Sequence, residues 1–211
     1  MFVYPVGFLG AKKNGPLIIS SAAGLYGSNS QNVSFPANLG AAGGDIFVAV
    51  VCSNANSSFA YRPPSSVAVG GLGLTKVYQN SAAFADIWFG AGPSAGGSQT
   101  IAIAYPSAPV SVSPAWAFQA FLVRGSLGPS FTSGAGGAAA SMSLATAAGG
   151  AIAAFAMGSG ASCAWAGATK TNDITDGTSF KSAAYYNAAS AEAGHAVSTS
   201  GSWIIGAAFK P

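Results

Sequence analysis

The chain has 211 residues, of which 50% are hydrophobic but only 6% charged, against about 25% charged in an ordinary globular domain. Its net charge of +3 comes from 8 basic and 5 acidic residues; the bases are scattered, with Lys12-Lys13 the one adjacent pair, so no cluster exists to neutralise phosphates and nucleic acid is not an expected partner. Two cysteines, Cys52 and Cys163, make neither a disulfide framework nor a zinc site, which needs clustered ligands at short spacing.

Residues 1–15 read as an apolar N-terminal arm that contains Pro5 and ends in the turn pair Asn14-Gly15. The arm's charges follow its apolar run, the wrong order for a secretory leader. Its large side chains, Phe2, Val3, Tyr4, Phe8 and Leu9, are expected to make assembly contacts, on a neighbouring subunit or along a sheet edge. A short strand over 16–20 and a loop over 24–30 follow.

Residues 46–53 (IFVAVVCS) form the first strong strand, entered from Gly43-Gly44-Asp45 and apolar on both faces. A strand of that kind must be covered on both sides; in a two-layer sandwich the cover comes from a loop, an arm or another subunit. Pro63-Pro64 bars a central strand in the next segment. Short strands at 67–69 and 75–79 flank a glycine cluster, and in 84–89 alternation puts Asp86 and Trp88 on one face, the candidate outward side. Strands at 99–105 and 114–125 (PAWAFQAFLVRG) end the first half.

Residues 126–140 read as a Gly/Ser/Ala-rich crossover. About 45 residues between Arg124 and Lys170 carry no charge, yet they are mostly Ala, Gly and Ser, so no window of about 20 strongly apolar residues arises and membrane insertion is not expected. Strands at 141–146, 151–157, 179–187 and 191–200 lead to the closing segment 201–211 (GSWIIGAAFKP), which echoes 114–125 in its Trp, Phe and terminal base.

The order of features is shared between 16–125 and 141–211: a Gly-Gly strand, a Gly-x-Thr-Lys segment (Gly73 to Lys76, Gly167 to Lys170), an aromatic strand, an alternating strand and a closing strand. Its period of about 90 residues is too long for a solenoid. The expected fold is all-β: an antiparallel β-sandwich, jelly-roll-like, whose first half is 16–125 and second half 141–211. In the alignment of the halves Tyr185 takes the place of Trp88.

The succession Gly44 to Val50, Gly73-Leu74-Thr75, Asp86 to Phe89, the strand closing in Arg124-Gly125, and Ala207 to Lys210 resembles a family of β-sandwich proteins of tailed bacteriophages and prophages. The likeness covers the chain from about residue 33 onward. Where members of that family often carry Gly-Trp-Thr, Leu74 and Ala168 stand in the Trp position. The resemblance implies a virion component of tail, fibre or capsid surface, assembled in the host cytoplasm, whose partners are other copies of itself and other virion proteins. It implies no catalytic residues.

Nothing in the residues amounts to an enzyme signature, and no cofactor or metal is expected. Glu192 and His195 have helical ligand spacing, but their segment reads as a strand, where that spacing points them to opposite faces, and no third ligand is near. The aromatics Trp88, Tyr105, Trp165, Tyr185 and Tyr186, with Asp86 beside Trp88, are the candidate binding residues. They suit stacking on the sugar rings of a host surface glycan or anchoring a protein partner. Two readings therefore stand: a non-enzymatic virion protein that acts by self-assembly and docking, and a carbohydrate-binding module. The low charge favours the first, because so apolar a chain is expected to be covered by neighbours.

Overall fold

A computed structural model describes residues 17–26, 31–38, 46–55, 63–81, 85–93, 97–106, 115–124, 128–136, 140–175 and 179–211. The expected arm contacts Phe2, Val3, Tyr4, Phe8 and Leu9 lie outside them. The described residues are all-β, and every strand pairing is antiparallel.

Among the described residues, nine strands come from the first half: β1 (Leu17–Tyr26), β2 (Asn32–Asn38), β3 (Ile46–Ala55), β4 (Ser66–Val69), β5 (Leu72–Gly73), β6 (Thr75–Asn80), β7 (Ala85–Ala91), β8 (Ser98–Ala104) and β9 (Ala115–Arg124). Eight come from the second: β10 (Gly128–Gly136), β11 (Ser141–Thr146), β12 (Ala151–Ser159), β13 (Trp165–Ala166), β14 (Thr169–Thr175), β15 (Ser179–Asn187), β16 (Glu192–Thr199) and β17 (Trp203–Lys210). The expected crossover over 126–140 is therefore mostly strand β10, paired along β17. Its small residues are no obstacle, because the neighbouring strand supplies the ladder.

Strand order in the first half is β1-β9-β3-β7-β6 and β2-β8-β4-β5; in the second it is β10-β17-β12-β15-β14 and β11-β16-β13. The two orders coincide except that β5 has no counterpart among the described residues, with β13 in the place of β4. The irregularities coincide too. Register slips once between Ile18 and Ser20 in β1 and between Pro129 and Phe131 in β10, and again between Lys76 and Tyr78 in β6 and between Lys170 and Asn172 in β14. Bulges at matching positions are fixed parts of the design of each half.

Each half is thus a sandwich of its own, where the sequence suggested two halves of one. Val33, Phe35, Ile101 and Ile103 of the first outer sheet pack on Trp88, Phe118, Ala120 and Leu122 of the first inner sheet. Phe35 and Phe118 stack with ring centroids 3.6 Å apart. Ile87, Phe121 and Val123, on the other face of that inner sheet, meet Ala153, Phe155, Ile205 and Phe209 of the second inner sheet. The second inner sheet in turn packs Ile152, Ala154 and Ile204 on Met142, Leu144 and Val197 of its own outer sheet.

Four layers result, and the two central sheets are covered on both faces by the chain itself. The cover is a further sheet of the same chain, where the sequence suggested a loop, an arm or another subunit. All of Ala151 to Gly158 in β12 is buried, and each such Phe or Ile contributes roughly 1.5–3 kcal/mol by leaving water. At Gly206 a Cβ would run into the Met142 side chain and the Ala153 carbonyl, so glycine there lets the second outer sheet sit close.

Between the halves β1 lies against β14, and β10 against β6. Since β10 corresponds to β1 and β14 to β6, the same patch of each half meets its counterpart in exchange, the arrangement of a twofold dimer built into one chain.

Candidate functional site

The candidate binding aromatics do not form a surface platform. Trp88 is 5% exposed and Tyr105 3%, both in the first half's core, and Asp86 is fully buried. The sequence placed Trp88 and Asp86 outward by alternation alone, but β7 is an interior strand of an interior sheet, so neither of its faces meets solvent. Lys76, on the edge strand β6, brings its ammonium within 4.0 Å of Asp86 Oδ1 and 5.5 Å of the Trp88 ring centroid, a cation–π and charge contact that caps the buried end of β7.

Tyr185 does not occupy the place of Trp88. The ladders put Thr75 opposite Phe89 and Thr169 opposite Tyr185, so Tyr185 matches Phe89 and both pack on the core between the halves. A shift of one residue moves a side chain to the other face. Trp165 is half-buried and donates its indole N–H to Ser182 Oγ at 2.8 Å. Tyr186 is the candidate that joins a cluster of three polar side chains.

Tyr186 stands near the end of β15 and stacks on His195 of β16, with ring centroids 3.6 Å apart and planes 7° from parallel. Glu192 bridges the two, Oε1 to the Tyr186 hydroxyl at 2.5 Å and Oε2 to His195 Nδ1 at 2.7 Å. His195 Nε2 reaches the Gly167 carbonyl at 2.6 Å. Glu192 and His195 were expected on opposite strand faces; they meet because the β11–β16 register slips beside Thr146 and Glu192, which swings the carboxylate round. With both imidazole nitrogens and both carboxylate oxygens engaged, the cluster is a closed polar network. Among the described residues, no group of three or more His, Cys, Asp or Glu side chains could hold a metal ion.

The hydrogen bond from Tyr186, helped by the one from His195, holds the Glu192 carboxyl below its ordinary range, while the bond to Glu192 raises the Tyr186 phenol. Stability linked to Glu192 is therefore present above the ordinary glutamate range and lost as pH falls through the lowered value. Stability linked to Tyr186 is present below the ordinary phenol range and lost as pH rises through the raised one. In Tyr186→Phe, urea midpoints followed from about pH 3 to pH 11 are expected to decline less steeply at both extremes than in the parent; parallel profiles would refute the linkage.

A second polar group lies at the β14 edge. Lys170 Nζ bonds Asp173 Oδ2 at 2.8 Å and the Cys163 carbonyl at 3.1 Å. Burial pushes the Asp173 carboxyl up, but Lys170, the Ser182 hydroxyl and the Cys163 N–H outweigh it and leave it lowered. Cys163 is a buried free thiol, 2.6 Å from Thr199 Oγ1. These contacts tie the 163–173 loop together.

What the molecule presents outward is its two outer sheets. The first shows Asn32, Ser34, Ser66, Ala68, Ala102 and Ala104 around a shallow depression of about 260 Å³. Across the second, Ser141, Ser143, Gly194 and Ala196 are exposed, and Ser198 partly so. No ionised side chain stands among these positions, and Leu72 is the one large apolar residue exposed in the described part of the chain. Sequence reading missed these faces because single Ser and Ala residues carry no signal until strands set them side by side.

By fold, the chain belongs to the class of antiparallel all-β proteins built as stacked sandwiches. No protein-family model, no curated protein and no solved structure matches it. Among the described residues no helix is long and apolar enough to cross a membrane.

Proposed function

We propose that this chain is a non-enzymatic structural protein of a tailed-phage virion, acting through self-assembly and docking to other virion proteins. The observation that carries this reading is the pair of outer sheets, whose exposed positions are mostly small uncharged side chains. Apart from the Glu192–His195 pair on β16, docking on such a face desolvates no ion, and a partner backbone can approach closely. The family likeness of the sequence supports the same reading, and its segments fall on β3, β5–β6, β7, β9 and β17.

The driving force differs from the one composition suggested. Apolar strands are satisfied inside the molecule, so assembly rests on shape and on uncharged polar contacts across the outer faces. Repetition of the fold also favours each half as a jelly roll, with alternate strands assigned to two sheets in the order β1-β9-β3-β7 and β2-β8-β4-β5. Binding of host glycan by the candidate aromatics loses its support, since Trp88 and Tyr105 are buried and the Tyr186 ring is covered by His195.

Sedimentation velocity of the purified chain is expected to show species heavier than the 20.6 kDa monomer. Ala102→Glu or Ala196→Glu, each placing one charge on an outer face, should return it to monomer without loss of β-structure. A parent chain that sediments as a monomer at every concentration, or charged variants that assemble as well as the parent, would overturn self-assembly through these faces. Mass spectrometry of purified particles tests the virion assignment separately, by whether the chain is a stoichiometric component.

A further inference from the structure

We propose that His195, Glu192 and Tyr186 form a proton-operated clamp, which holds the turn between β13 and β14 closed on β15 and β16 while the cluster keeps its extra proton and releases the turn when that proton leaves. The Gly167 carbonyl can only accept, so the 2.6 Å contact requires a proton on His195 Nε2. The 2.7 Å contact between Nδ1 and Glu192 Oε2 requires a second, on either atom. The tyrosine hydroxyl supplies its own for Oε1.

All three bonds form together only when the imidazole and carboxylate share one proton more than a neutral ring beside an ionised carboxylate has. Remove it, and one of two acceptor pairs faces itself across 2.6–2.7 Å, which is repulsive. Stacking of His195 on Tyr186 keeps the ring from turning away to a better partner. The charged Glu192 oxygen holds the remaining proton at Nδ1, so the bare Nε2 is the one left facing the Gly167 carbonyl, and the turn moves away.

The turn is poised to do so. Strand β13 has two residues and two ladder pairs, Trp165 with Thr199 and Ala166 with Ser198, and past them the His195 side chain ties the turn itself at Gly167. Gly167 has φ +76°, and a Cβ there would strike the Ala196 carbonyl, so the turn lies directly on β16 when closed. Other groups around the ring do not interfere. Leu144 faces His195 from β11, Tyr186 comes from β15, Glu192 from its own strand, and on β14 Lys170 and Asp173 are occupied with each other. Opening would bare the edge of β16 and the underside of Trp165.

Nuclear magnetic resonance on the full chain tests this directly. Ring nitrogen shifts of His195, the only histidine, report its protonation, while protection factors of the amides at 166–169 and of the Trp165 indole N–H report closure. Protection at these sites is expected to fall at least about tenfold in step with loss of the ring proton, a difference of about 1.4 kcal/mol, while β12 and β17 stay protected. Glu192→Gln, whose amide can donate to a bare Nδ1 or accept from a protonated one, should keep the turn protected through the loss of the ring proton. Protection that persists through the parent's titration, or a ring carrying a single N–H beside an ionised Glu192 while the turn is closed, would overturn the clamp.

Discussion

Replacing Phe121 with alanine is expected to destabilise the whole chain by about 3–5 kcal/mol, the range for truncating a buried phenylalanine. Phe121 has no solvent exposure and sits on β9, on the face that meets Phe155, Ile205 and Phe209 of the other half. The cavity it leaves would be walled by two sheets, each held from behind by a further layer, so neither can collapse into it without disturbing a second core. The loss should therefore sit near the upper end of that range. Because the damaged core belongs to both halves, unfolding in urea should remain one transition, coincident by circular dichroism and tryptophan fluorescence. Leu72→Ala, at a side chain 44% exposed, should stay within about 0.5 kcal/mol. A cost below about 1 kcal/mol for Phe121→Ala, or a parent that unfolds in two separate steps, would mean that the halves do not share the core described above.

The shared core explains what the sequence revealed and what it concealed. Antiparallel all-β structure was legible, because runs such as 151–157 are short, apolar and bounded by glycine pairs, and repetition between halves was legible from Gly-x-Thr-Lys. The layering was not. A strand apolar on both faces looks the same whether a subunit, an arm or another sheet of its own chain covers it, and the ratio of apolar to charged residues looks the same too. Trp88 went astray for that reason. Tyr185 went astray through one residue of register, which decides the face of every side chain and which no local signal fixes. The cluster at His195 was hidden by a bulge, since spacing along a regular strand separates what the slip at Glu192 brings together.

One contact between the halves was also invisible, and it supports the other large expected effect. Gln119, fully buried on β9, donates from Nε2 to Asn172 Oδ1 on β14 at 2.7 Å, and its own Oε1 has no partner among the described residues. Gln119 matches Ile205 in the register of the halves, so the duplicated fold places an apolar side chain at the same site in its other copy; the polar one serves the junction rather than the sandwich. In Asn172→Ala the Gln119 amide keeps its burial and loses its acceptor, a cost of about 1–3 kcal/mol. Gln119→Leu leaves only the more accessible Asn172 to find water and should cost less. Changing both removes the buried polar group together with its partner, and the double variant should recover much of what Asn172→Ala loses. Urea midpoints for the four proteins supply the cycle. If the two single losses simply add, the bond contributes nothing specific, and the registry of one half on the other must come from the apolar side chains around Phe121 alone.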